Sequence, residues 1–414
     1  MNKVYFSKLM LLSMIAFFAM NTKTTQAAEP DSIMMGPAYA NDVYYSFQNQ
    51  VVAEVPRAGW DIAFHTNRWS ATVITNDGVG VTLFAYPKSD SAGWASVDTT
   101  GISTWKPLFN NHQDWEDGAC NRYAAGHPDY GWGVYNMISH DVVGDSIFII
   151  KAEGGIFKKF RIINKNSINN LYTFRYANLD GSDDQTIQLD CDDYITKNFV
   201  AYSIVTSAVI DREPTSDSWD ILFTKYMTIH PSGAPYNVSG VLSNIGVTVA
   251  KAYPVAPNHT DWGLLEFTGD RSAIGWDWKT FDMNTFTYIL SDSTFFYVKD
   301  LAGNVNRLEF TKFIGSSSGK IVFNKGVSSA SSVAETNPEN LMIWPNPATD
   351  IIHINAESSI QQLNVYTISG ARIITNSLSS GNSSQININS LKPGMYILET
   401  KTVQSTQRLR FIKK

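Results

Sequence analysis

The sequence predicts an all-β fold: two related β units followed by a small Ig-like β-sandwich. Three observations lead there. Apolar residues recur with period two, or in short β-branched and aromatic runs bounded by Gly, Asp, Asn, Ser or Pro. Sustained helical spacing is scarce, and five sequence blocks recur in the same order. The chain also carries 11 Trp, 19 Tyr and 22 Phe, side chains that pack well on pleated surfaces.

At the N-terminus, Lys3 and Lys8 precede an apolar run over 9–20, followed by polar residues and the small pair Ala27 and Ala28. That order is a secretory signal peptide over residues 1–28, with cleavage expected near Ala27 or Ala28. The run is about a dozen residues, short of the roughly 20 that span a bilayer. A lipoprotein needs a cysteine at the cleavage site, and the cysteines are Cys120 and Cys191. These two are compatible with one disulfide or with two free thiols. With 32 basic and 38 acidic side chains the formal charge is −6, and no basic stripe tracks a phosphate backbone. Nucleic acid is therefore not an expected partner.

Strands are predicted over 79–86, 146–151, 246–253, 286–290 and 294–299. Tyr45-Ser46 precedes Trp60-Asp61-Ile62-Ala63-Phe64, and Tyr202-Ser203 precedes Trp219-Asp220-Ile221-Leu222-Phe223 at nearly the same distance. The blocks at 79–87 and 245–254, Gly131-Trp132 and Gly275-Trp276, 145–151 and 292–299, and 160–162 and 308–310 continue the match. Two β units follow, about 40–170 and 195–325. Trp60 and Trp219 are expected at equivalent positions, each buried against strands that include Val81 and Val247.

From 326 to 340 the chain is Ser-, Ala- and Asn-rich with no apolar period, the composition of a linker. Beyond it, residues 341–414 form a separate domain with strands predicted over 351–354, 362–366, 371–374, 385–388, 395–400 and 408–412, and turns at Ser369-Gly370 and Pro393-Gly394. Within it lie Trp344-Pro345-Asn346-Pro347-Ala348-Thr349-Asp350, Val365-Tyr366-Thr367-Ile368-Ser369-Gly370, Leu391-Lys392-Pro393-Gly394-Met395-Tyr396 and a final Phe411-Ile412-Lys413-Lys414. This segment resembles the type A sorting domain of type IX secretion cargo. The resemblance implies handling by the type IX secretion machinery, passage across the outer membrane, and a secreted or cell-surface location.

Trp60-Asp61-Ile62-Ala63-Phe64-His65, with Asn76-Asp77-Gly78-Val79-Gly80-Val81 behind it, is similar to the HmuY family of haem-binding proteins. The resemblance implies two tandem HmuY-like β units, haem or a similar porphyrin as cofactor, and an outer-membrane haem receptor as partner. HmuY proteins are single-unit lipoproteins, and this chain departs on both counts. Haem iron takes axial ligands such as two His, so the candidates are His65, His112, His127 and His140, the histidines of the first unit. His112 and His127 share a stretch with Trp115, Tyr123, Tyr130 and Trp132, rings suited to walling a porphyrin. The second unit has Thr224 where the first has His65.

No other chemistry has a comparable signal. The Asp-rich stretches at 180–184 and 190–193 lack the spacing of a calcium loop and read as solvated turns. There is no Gly-x-Ser-x-Gly elbow, His-Glu-x-x-His helix or Gly-rich phosphate loop, so no catalytic residue is named and an enzyme is not expected. The haemophore-like reading stands beside an alternative, a surface adhesion or glycan-binding protein that uses aromatic platforms without haem.

Overall fold

A computed structural model describes residues 29–257, 259–327, 341–356, 358–367, 371–377, 381–402 and 406–414. The expected signal peptide, residues 328–340 of the expected linker and the Ser369-Gly370 turn lie outside the described residues. The chain divides into two compact units, Met1–Ser329 and Ala330–Lys414. Both are built from antiparallel strands, and helical segments among the described residues are short 3-10 turns.

In the larger unit the first eleven strands are β1 (Glu29–Met34), β2 (Asn41–Ser46), β3 (Gln50–Pro56), β4 (Ile62–His65), β5 (Val73–Thr75), β6 (Thr82–Ala85), β7 (Gly133–Tyr135), β8 (Asp141–Gly144), β9 (Phe148–Lys151), β10 (Phe157–Asn166) and β11 (Leu171–Asn178). Eleven more follow: β12 (Gln185–Asp190), β13 (Phe199–Ser203), β14 (Ala208–Ile210), β15 (Ile221–Ile229), β16 (Pro235–Ser243), β17 (Thr248–Ala252), β18 (Lys279–Asp282), β19 (Thr287–Leu290), β20 (Phe295–Lys299), β21 (Val305–Phe313) and β22 (Lys320–Val327).

The two series pair in matching ways, with one exchange between them. Two outer arrays run β1-β22-β21-β20-β17 and β12-β11-β10-β9-β6, the second extended by β8 and β7. Two inner sheets run β3-β2-β15-β16 and β14-β13-β4-β5. The opening strands of each series thus pair with the other series: β1 and β2 join β22 and β15, while β12 and β13 join β11 and β4. The registers correspond as well, Tyr45 opposite Ile221 and Tyr202 opposite Ile62.

Each inner sheet packs one face on an outer array. Ile62, Phe64, Val200 and Tyr202 meet Leu83, Phe160, Phe174 and Tyr176 in one core. Val43, Tyr45, Ile221 and Phe223 meet Val249, Phe296, Leu308 and Phe323 in the other. The packed sandwiches therefore do not follow the sequence units 40–170 and 195–325. One is contiguous, about 57–212, and the other joins 29–56 to 213–327. Cys120 and Cys191 are free, buried thiols in the first core.

Trp60 and Trp219 are equivalent, but not against Val81 and Val247 as the tetrads suggested. The chain bends at Asp61 and at Asp220, so each Trp leaves the face of Ile62 or Ile221. Trp60 packs with Ala63, Ile74, Phe199 and Ala201, and Trp219 with Tyr44 and Leu222, while Val81 and Val247 stay in the sandwich cores.

The smaller unit is a sandwich of β23 (Met342–Trp344), β24 (Ile351–Asn355) and β27 (Ser383–Asn387) against β25 (Ile360–Thr367), β26 (Arg372–Ser377), β28 (Gly394–Thr402) and β29 (Thr406–Lys413). Ile352, Ile354, Leu363, Val365, Leu398 and Phe411 fill its core.

Candidate functional site: a cavity between the inner sheets

The second faces of the two inner sheets enclose a cavity of about 90 Å³. One side presents Ala63, Ile74, Phe199 and Ala201, the other Tyr44, Leu222, Thr224 and Leu242. Strand β4 is buried at all four residues because it is covered on both faces. At Gly78 the two series touch, since a Cβ there would stand 2.1 Å from the Lys225 carbonyl oxygen.

The repeated tetrads build this arrangement. Asp61 Oδ2 accepts the Ile204 amide at 2.7 Å, and Asp220 Oδ2 accepts the Phe47 amide at 2.7 Å. Each carboxylate thereby anchors the chain just beyond an exchanged strand. Behind them Asn76 Nδ2 donates to the Trp60 carbonyl and Asn244 Nδ2 to that of Trp219, at 3.0 and 2.7 Å. Trp-Asp and the following Asn are thus a joint between the two series. The Asp side chains satisfy buried backbone donors whose loss costs about 1–3 kcal/mol each.

Three indoles line the cavity: Trp60, Trp115 and Trp219. Trp115 comes from the loop after β6, and its Nε1 donates to the Ser243 carbonyl at 2.8 Å. Its ring lies 4.3 Å from the Arg271 guanidinium carbon, a cation–π contact. Asp42 accepts from Thr224 Oγ1 and from Arg212 Nη2, both at 2.6 Å. Glu213 accepts the Phe199 amide at 2.8 Å, and Asp77 accepts the Asn110 amide at 3.1 Å. Burial pushes the Glu213 and Asp77 carboxyls up to about 7 each and draws Arg271 down to about 10.

Five residues of the cavity lining each carry a buried polar atom with no hydrogen-bond partner among the described residues: Trp60 Nε1, Trp219 Nε1, Arg212 Nε, Thr75 Oγ1 and Tyr226 OH.

The raised Glu213 carboxyl gives a pH test. Its folded pKa lies above the ordinary 4.5, so its contribution to stability is present at low pH and is lost as pH rises from about 4.5 to 7. Glu213→Gln removes that slope. Chemical denaturation at pH 5 and pH 8 is expected to show the wild type losing stability relative to the variant at the higher pH. The opposite slope would contradict the buried, neutral carboxyl.

Of the sequence-predicted histidines, His127 and His140 come together around Tyr135, and His65 and His112 lie in other surroundings. His65 is buried, with Nδ1 accepting from Asn67 N–H at 3.1 Å and Nε2 3.3 Å from Glu116, and burial holds its pKa down. His112 is half-buried beside Arg271, whose Nε donates to its carbonyl at 3.3 Å. His127 and His140 are exposed and flank Tyr135, with ring centroids at 5.3 and 6.1 Å, and His140 Nδ1 bonds the Tyr135 hydroxyl at 2.7 Å. Trp132, expected as a porphyrin wall, is fully buried in the first core and donates to the Ala71 carbonyl at 2.8 Å. The Asp-rich turns are engaged in ion pairs, Asp183 with Lys158, Asp184 with Arg175 and Asp192 with Arg68.

Sequence reasoning missed Arg212, Glu213, Tyr226 and Arg271, which are scattered along the chain and carry no motif. The one signal that pointed to the cavity was the duplicated Trp of the tetrads.

In the smaller unit the Pro-Asn-Pro run ties down the C-terminus. Asn346 Oδ1 accepts the Ile412 amide at 2.9 Å, and Asn346 Nδ2 donates to the Arg410 carbonyl at 3.2 Å. Ala348 and Lys414 exchange backbone bonds with this strand end, Ala348 N–H to Ile412 and Lys414 N–H to Ala348, both at 2.9 Å. Buried Glu399 gathers Asn364, Tyr366 and Arg408.

No curated protein and no solved structure matches the chain, and the HmuY likeness of the larger unit stands on its residues alone. Residues 342–414 match the family described as secretion system C-terminal sorting domain. The smaller unit is thus a sorting domain that directs the chain to the type IX secretion machinery, and the protein is secreted or attached at the cell surface.

Proposed function

We propose that the larger unit is a non-catalytic surface binding module that takes a saccharide into the cavity between its inner sheets. The observation that carries this reading is the cavity lining, three indoles beside the polar side chains of Asn76, Asp77 and Asn110. Aromatic faces bury the apolar face of a sugar ring, and fixed polar groups orient it. Half-buried Asn110, Trp115, Arg212 and Lys225 form the rim.

Haem remains the second reading, favoured by His127 and His140 on either side of Tyr135. It would be a surface site, since His127 and His140 are exposed and lie outside the cavity lining. One titration series separates the two readings. Monosaccharides are expected to change the tryptophan fluorescence of the mature protein, and Trp115→Ala to abolish the response. Hemin is expected to keep its free spectrum. A sharpened Soret band that His127→Ala or His140→Ala weakens, with no sugar response, would reverse the assignment.

A further inference from the structure

The two sandwiches differ at one sheet edge. In the first, β10 kinks between Ile162 and Asn164, and beyond the kink Asn164, Lys165 and Asn166 pair with Val143, Val142 and Asp141 of β8. Strand β21 is the counterpart of β10: Leu308 stands opposite Phe296 as Phe160 stands opposite Phe148, and a kink follows between Phe310 and Lys312. The hairpin of β18 and β19 follows Gly275-Trp276 as that of β7 and β8 follows Gly131-Trp132, yet it forms a two-stranded sheet of its own. The edge of β21 away from β22 thus carries β20 as far as Leu308 and, among the described residues, no strand beyond it. Thr311 and Lys312 are exposed, whereas their counterparts Ile163 and Asn164 are half-buried.

A groove of about 670 Å³ lies where β8 would be expected to close the sheet, lined by Phe281, Phe286, Tyr288, Lys312, Phe313 and Ile314 among others. Phe281 and Tyr288 are register partners with ring centroids 5.1 Å apart, and Tyr288 packs edge-on against Phe313 at 4.6 Å. Phe286 is 74% exposed.

We propose that this groove takes an extended peptide segment of a partner protein, which adds as a strand to the open edge of β21. The occupant is read from the other sandwich, where the same edge, past the same kink, carries a strand. An open edge pairs with the main chain of any extended segment, and side-chain pockets then select among them. Alternate residues of the guest point to one face, where Phe281, Phe286 and Tyr288 favour apolar side chains. The site is separate from the cavity between the inner sheets, so neither reading depends on the other.

The probe is a labelled, acetylated and amidated Lys-Thr-Val-Thr-Val-Thr-Lys peptide, titrated into the mature protein and followed by fluorescence anisotropy. Two further copies are N-methylated at the odd or at the even residues, which removes main-chain donors from one edge at a time. The parent peptide is expected to bind saturably, and at least one methylated copy to bind about tenfold more weakly or worse. Phe286→Ser, at an exposed position, is expected to weaken the parent about tenfold through loss of an aromatic anchor. Hydrogen exchange at 309–313 is expected to slow when the peptide is bound. No saturable binding up to about 1 mM overturns the proposal. Equal binding of all three peptides overturns strand addition, and an unchanged affinity in Phe286→Ser overturns the placement in this groove. Protection of 309–313 that grows with protein concentration in the absence of peptide gives the edge to a second copy of the chain and likewise overturns it.

Discussion

Removing residues 341–414 is expected to abolish delivery to the surface or medium, leaving the folded larger unit in the periplasm of the native host. The smaller unit has its own core and sheets, and the Asn346 bonds hold the C-terminal strand end within it. Taking it away should leave the other unit's cores intact while erasing the address. Fractionation with antibody detection reads the outcome. Undiminished surface or medium levels of the truncated chain would remove the sorting function from this domain.

The second large effect concerns where the body can be cut. Residues 57–212 contain every strand of the first sandwich, β4 to β14, with all their pairings. Residues 29–184, which span the whole first sequence unit of about 40–170, contain β1 to β3 without β22 or β15, and β4 and β11 without β13 or β12. The 57–212 fragment is expected to unfold cooperatively as a monomer. The 29–184 fragment is expected to give no folded monomer, because unpaired edges and half-covered sheets leave backbone groups and apolar faces exposed. Light scattering and thermal circular dichroism distinguish them. A stable 29–184 monomer would show that the exchange is not what holds the strands.

The strands themselves were legible because side-chain alternation is local. The stretches 246–253 and 294–299 contain β17 and β20, and six strands of the sorting domain fall where expected. The duplication was legible too, as matched blocks in one order. The exchange was not: Tyr45 and Tyr202 occupy equivalent registers, so pairing within or between series satisfies the same apolar pattern. Nothing in a single strand states which copy it will join. The site was legible only in its tryptophans. Asp42, Arg212 and Arg271 carry no local pattern, because the burial that sets them apart arises between sheets drawn from distant segments. Of the histidines, His127 and His140 meet on either side of Tyr135, while His65 and His112 have other surroundings.

The exchange also imposes an order on a chain that is made from its N-terminus. Once residue 212 has been made, the first sandwich possesses all its strands and can close. The 29–56 segment, made earlier, must then wait, since β1 finds its partner only in β22, whose last residue is Val327. During that further synthesis a completed domain coexists with a leading segment in which only β2 and β3 can pair with each other. Contacts of such long sequence separation form slowly. The earliest part of the body to appear is thus among the last to fold, and the cavity between the inner sheets, which needs Tyr44 and Trp219 together, cannot form before β15 is available to β2.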